Sequence, residues 1–114
     1  MADGIVYINV EEGSKRVMNN TKLYAKLLNK FKADPSLGQI NEALEKNDLA
    51  SAQTLVHTLK GLAANLSLTE LYKQSVELEA QIKAGSADPR QVELFKSVHA
   101  QTLIETDKVI AQYA

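Results

Sequence analysis

Leu55-Val56-His57-Thr58-Leu59-Lys60-Gly61-Leu62-Ala63-Ala64-Asn65 reads as the middle of an amphipathic helix. Around it, Leu49, Ala52, Val56, Leu59, Ala63 and Leu66 recur at intervals of three and four, the seam of one buried helical face. A second stripe lies beside the first. Gln53, His57, Lys60, Gly61 and Ala64 keep helical spacing on a neighbouring face. Gly61 is out of place there, because glycine inside a helix costs about 1 kcal/mol relative to alanine. Such a glycine usually has a packing or functional reason. It follows His57 by one turn and removes bulk beside the imidazole, while Lys60 adds a cation on the same flank.

These residues suit phosphoryl chemistry. An ordinary imidazole titrates near pH 6.5, so much of it is neutral and nucleophilic at neutral pH. Phosphoryl transfer needs positioning and charge neutralisation more than covalent work by the protein. Lys60 offers a flexible point charge to a phosphoryl group. Gly61 leaves room for a partner's backbone and its reacting carboxylate. Each residue alone has an ordinary explanation: a surface histidine, a solvated lysine, a glycine at a close helix contact. The three together on one face, spaced H-x-x-K-G, are less easily explained that way.

His57-Thr58-Leu59-Lys60-Gly61, followed by Ala63-Ala64-Asn65-Leu66, resembles the signature of histidine-containing phosphotransfer (HPt) domains. Ile8-Asn9-Val10-Glu11-Glu12-Gly13 and Leu23-Tyr24-Ala25-Lys26-Leu27-Leu28-Asn29-Lys30-Phe31 resemble that family's lead-in helices. Leu71 and Leu78-Glu79 also match, so the likeness covers nearly the whole chain. One departure is Ser67, where many members carry glycine at the turn after the motif helix.

Composition sets the outer bounds. A chain of 114 residues suits one domain, here taken as residues 1–114. Apolar residues make up 45% and charged residues 24%, as in a soluble globular chain. Few aromatics and abundant Leu, Ala, Lys, Glu and Gln favour helix over sheet. A net charge of -1 gives no electrostatic case for nucleic acid or an anionic membrane. The absence of cysteine excludes disulfides and thiolate metal sites. With two unpaired histidines, a bound metal is not expected. No apolar run reaches transmembrane length, and Ile5-Val6-Tyr7-Ile8 is too short for a signal core, so a cytoplasmic location is expected.

Capping patterns divide the chain. Asn9 with Glu12 suggests a capping box and a short helix over about 10–18, broken by Asn19-Asn20. A second helix, about 21–33, carries Tyr24, Leu27, Leu28 and Phe31 on one face. Asp34 as N-cap and Pro35 at the first helical position open a third, with Leu37, Ile40 and Leu44 inward. Asn47-Asp48 separates it from the fourth, about 49–65. Ser67-Leu68-Thr69-Glu70 reads as another capping box. It opens a fifth helix to about Ala84, with Leu68, Leu71, Ser75, Leu78 and Ile82 inward. Asp88-Pro89, with Gln91 as a possible box partner, opens a last helix over about 90–113. That helix is expected to bury Val92, Phe95, Leu103, Ile110 and Tyr113, with Thr102 and Thr106 near that face and His99 on its margin. The fold expected is all-α: an antiparallel up-down-up-down four-helix bundle of the second, fourth, fifth and last helices. The short first and third helices flank it.

His99 lacks a following cation or glycine at the same spacing and reads as structural. Paired Glu11-Glu12 suit the helix dipole rather than acid–base work. No Gly-rich phosphate loop or kinase motif is present, so the chain is not expected to make its own phosphohistidine. The resemblance implies a carrier and substrate rather than an enzyme. His57 is its phosphoacceptor, reacting at Nε2, with Lys60, Gly61 and Glu79 around the phosphoryl group. In the family, a polar side chain at the Glu79 position approaches the phosphoacceptor; a solvated helix charge is an equal reading. Ala64 and Phe31 fall at the docking surface by resemblance, although core packing is the preferred reading of Phe31. The partners implied are receiver domains and a histidine kinase or hybrid kinase. The chain needs no cofactor of its own, with Mg²⁺ held by the receiver, and its polar outer faces suit a monomer. Two other readings fit the same residues. One is the phosphoacceptor module of a larger chemotaxis-type kinase. The other is a helical interaction module with no phosphoryl chemistry.

Overall fold

The computed structural model describes residues 5–113, and among these every regular element is a helix. The helices are α1 (Val10–Lys15), α2 (Thr21–Lys32), α3 (Ser36–Glu45), α4 (Leu49–Leu66), α5 (Thr69–Lys83) and α6 (Pro89–Tyr113). α4 packs most extensively on α5. α5 packs in turn on α6, α6 on α2, and α3 lies along α4. The core is continuous. It joins Tyr24, Leu28 and Phe31 of α2 to Val56, Leu59 and Ala63 of α4, Leu71 and Leu78 of α5, and Phe95 of α6.

Local signals place most boundaries. Asn9 Oδ1 accepts from Glu12 N, and Asn20 Oδ1 accepts from Leu23 N, each relieving an orphan N–H at a helix start. Asp48 Oδ1 does the same for Ser51 N. α1 ends at Lys15, before the expected boundary, because Met18 and Asn19 take left-handed backbone conformations. At Asp34-Pro35 the side-chain cap bond goes to Ser36 N at 2.8 Å, and the helix begins one residue later than expected. Asp88 caps α6 through Arg90 N. Gln91 does not complete a box; its amide donates to Gln74 Oε1 and ties α6 to α5.

The turn between α4 and α5 corrects one expectation. Ser67 does not cap α5. It ends α4 in the left-handed region at φ 55°, the conformation for which glycine is preferred. Its hydroxyl donates to Glu12 Oε1 at 2.7 Å and accepts from Arg16, while its carbonyl accepts from Asn9 N at 2.9 Å. Leu68 takes the N-cap position of α5 without a side-chain bond. α1 therefore fastens the turn that α4 and α5 share. Tyr24 adds a bond from its hydroxyl to Leu66 O, and burial raises that phenol to about 12, keeping it a donor. Gly13 is required beside it, since a Cβ there would lie 2.6 Å from the Tyr24 ring.

The buried stripe of α6 also differs from the expected one. It comprises Phe95, Val98, His99, Thr102 and Thr106, whereas Val92, Leu103, Ile110 and Tyr113 are only half-buried. Thr102 becomes compatible with the core by donating to Val98 O at 2.7 Å. His99 is 5% exposed and faces Phe31 with ring centroids 5.6 Å apart.

His99 has a measurable consequence. Its Nδ1 has no hydrogen-bond partner among the described residues, and burial lowers its pKa against the opposing charge of Asp34. The unfolded chain therefore binds this proton more readily than the folded one. The stability that depends on neutral His99 is complete above about pH 6.5 and is lost as pH falls toward the depressed folded value. Urea midpoints should fall between about pH 7.5 and 5.5, and His99→Leu should flatten that slope. An unchanged slope in the variant would remove His99 as its source.

Candidate functional site

α4 presents His57 on its outer face, beside α5. The imidazole side chain is 66% exposed, while the Glu79 carboxylate behind it is only 4% exposed. His57 Nδ1 lies 3.1 Å from Glu79 Oε2. An ionised carboxylate only accepts, so Nδ1 carries the proton in this contact. The Nε2 lone pair is then the free one.

Glu79 is held by cations as well. Lys60 Nζ donates to Oε1 at 2.6 Å, and Lys83 Nζ lies 3.6 Å from Oε2. The Lys60 bond is the chief cause that keeps this carboxyl below the usual glutamate range, with the His57 bond and the Lys83 charge adding to it. Glu79 thus stays ionised through the neutral range and below. Its position follows from α5 itself. Ser75, Leu78 and Ile82 carry that helix's buried face, and Glu79 follows Leu78 directly at its margin toward α4.

Gly61 is exposed, and a Cβ built there would meet nothing within 4 Å. No contact within the described chain demands glycine at this position. Gly61→Ala should therefore raise stability by up to about 1 kcal/mol, through helix propensity alone. Gly61→Gln should keep part of that gain yet slow phosphoryl transfer by crowding the imidazole. Thermal melts and transfer rates on the same two variants check this, and unimpaired transfer in Gly61→Gln would remove the steric reason for the glycine.

Ala64 is half-buried and lines a groove of about 410 Å³ between α4 and α5, with Ala63, Ser67, Thr69 and Tyr72. Glu12, Arg16 and Lys73 also line it. The docking role that resemblance offered for Phe31 needs correction, and its core-packing reading holds. Phe31 is 2% exposed, and its ring is committed to the core against His99. The structure brings His57, Lys60, Gly61, Ala64 and Glu79 to one α4–α5 face. Lys83 joins them unforeseen. The available signal was its place four residues after Glu79, where opposite charges meet on a helix. Tyr72 and Val76, both exposed on α5, were also unforeseen. Among the described residues, no group of three His, Cys, Asp or Glu side chains could hold a metal ion.

This arrangement defines a helical module that offers one imidazole, backed by a buried carboxylate and flanked by lysine. The Hpt domain family model matches residues 28–109, and the chain belongs to that family. It is therefore a phosphotransfer module of two-component signalling, a class whose partners are kinases and receiver domains. No curated protein and no solved structure matches the chain. No helix among the described residues is long and apolar enough to cross a membrane.

Proposed function

We propose that the chain, as a single domain, is a phosphorelay intermediate. His57 accepts a phosphoryl group from a receiver-domain aspartate or a histidine kinase and passes it to another receiver aspartate. In this reading α2, α4, α5 and α6 form an antiparallel up-down-up-down bundle, with α1 and α3 as flanking helices. The supporting observation is the exposed imidazole whose Nδ1 is anchored to buried Glu79, with open space at Gly61.

The chemistry follows from that anchoring. The Nε2 lone pair attacks phosphorus in line with the departing aspartyl oxygen. A P–N bond forms, the P–O bond to the donor breaks, and the donor's carboxylate leaves with the electron pair. No proton has to leave Nε2. Nδ1 keeps its proton, and the positive charge that develops on the ring is balanced by Glu79. Lys60 spends one of its three N–H donors on Glu79, leaving others for a phosphoryl oxygen. The groove at Ala64, with Tyr72 and Val76 nearby on α5, supplies apolar surface for the receiver. The receiver supplies Mg²⁺ and the remaining catalytic groups, so the chain acts as carrier and substrate, not enzyme. It works as a cytoplasmic monomer.

Incubation with radiolabelled phospho-receivers tests the proposal. Label that is acid-labile and base-stable should appear on this chain and chase onto a second, unlabelled receiver. Failure of every receiver and kinase to label it would leave a helical interaction module.

A further inference from the structure

The cations of this protein are spent on carboxylates nearly everywhere. Every Lys and Arg outside one face of α2 lies within ion-pair distance of an Asp or Glu, including Lys32 of α2 itself, which reaches Asp107. Among the described residues, only Lys22, Lys26 and Lys30 form no such pair. They recur at every fourth position of α2, all exposed. Together with Ala25, Asn29 and Ile110 they line a concave surface of about 650 Å³.

Folding gains little from this stripe. Like charges four residues apart weaken a helix. Lys22 stands in the first turn, at the positive end of the helix dipole, and only Lys30, in the last turn, benefits from it. The floor beneath the ammonium groups is partly apolar, with Ala25 buried and Ile110 half-buried.

We propose that this α2–α6 surface binds an acidic amphipathic helix of a partner protein. The partner would carry carboxylates at every fourth residue over three positions, with apolar residues beside them. The three lysines span roughly 12 Å along α2, the distance over which a second α-helix repeats the same spacing. Charge complementarity selects an acidic partner. A second copy of this chain does not fit, because among the described residues no helix offers three unpaired carboxylates in a row. Nucleic acid fits poorly, since no aromatic side chain lines the groove to stack a base. A bilayer fits poorly too, because among the described residues the only apolar side chains lining the surface are Ala25, which is buried, and Ile110, which is half-buried. The surface shares no lining residue with the His57 face, so its occupant would leave the imidazole open.

A titration of the ¹⁵N-labelled 114-residue chain tests this. The probe is a helical peptide carrying Glu at i, i+4 and i+8 with Leu at adjacent positions. Its control has Gln in place of each Glu. Shift changes should concentrate in α2 and α6. Affinity should fall at least about tenfold with the Gln peptide, with raised salt, and in the combined variant Lys22→Glu, Lys26→Glu, Lys30→Glu. The milder Lys26→Gln should weaken binding by a smaller factor while keeping the fold, so a misfolded triple variant leaves the test intact. Phosphoryl transfer through His57 should be unchanged in Lys26→Gln. The proposal is overturned if the peptide fails to bind, if the Gln peptide binds equally, or if the shifts map to the His57 face. It is also overturned if phosphatidylglycerol vesicles or oligo(dT) bind the lysine face more tightly than the peptide.

Discussion

His57→Gln should abolish acid-labile, base-stable labelling by a phosphorylated receiver, with the helical circular dichroism signal unchanged. The side chain is exposed, and among the described residues its one polar tether is Glu79. Glutamine retains an amide N–H able to donate to that carboxylate. It has no nucleophilic ring nitrogen, so chemistry is lost while the local ion cluster survives. The other histidine offers no bypass, because His99 is packed against Phe31 within the core. Loss should therefore be complete rather than partial, and residual labelling of the variant would place the acceptor elsewhere.

Glu79→Ala should slow phosphoryl transfer by roughly ten- to a hundredfold, by analogy with the loss of a carboxylate that orients a metal-bound histidine. Three effects act together. The ring loses the acceptor that fixes its tautomer, the charge developing on it loses its counterion, and Lys60 is freed to swing toward water. Glu79→Gln separates these contributions. Its carbonyl can still accept from Nδ1–H, so it should retain orientation and lose only charge, giving a rate between wild type and Glu79→Ala. Quench-flow transfer rates measure all three proteins. A Glu79→Ala rate equal to wild type would reduce the cluster to a stabilising ion network. The network also implies acid sensitivity. The folded carboxyl titrates below its unfolded value, so its share of stability is present above about pH 4.5 and is lost as pH falls further.

The H-x-x-K-G stripe was legible because helical period and an anomalous glycine are local signals. So were the helix starts at Asn9, Asn20 and Asp48, where a short polar side chain caps its own helix. Glu79 was legible only through family resemblance, since nothing within α4 points to a carboxylate on α5. Lys83 went unread although it stands one turn from Glu79. Ser67 was misread because Ser-x-x-Glu is the pattern of a capping box. What overrides it is long-range: Glu12, Arg16 and Asn9 reach the turn from α1. The face of α6 was read only in part, with Phe95 on it but Thr102, Thr106 and His99 left beside it. Threonine and histidine count as polar in a period search, yet Thr102 satisfies its hydroxyl within the helix and His99 is buried neutral against Phe31. Phe31 was legible as core, since it shares the apolar face of α2 with Tyr24 and Leu28.

The position of the phosphoryl group on the ring tests the central claim most directly. Long-range ¹H–¹⁵N correlation spectra of the phosphorylated chain distinguish the two nitrogens of each histidine. The spectra should show phosphorus bonded to Nε2 of His57, with Nδ1 still protonated toward Glu79. Phosphorus on Nδ1 of His57, or on His99, would contradict the account.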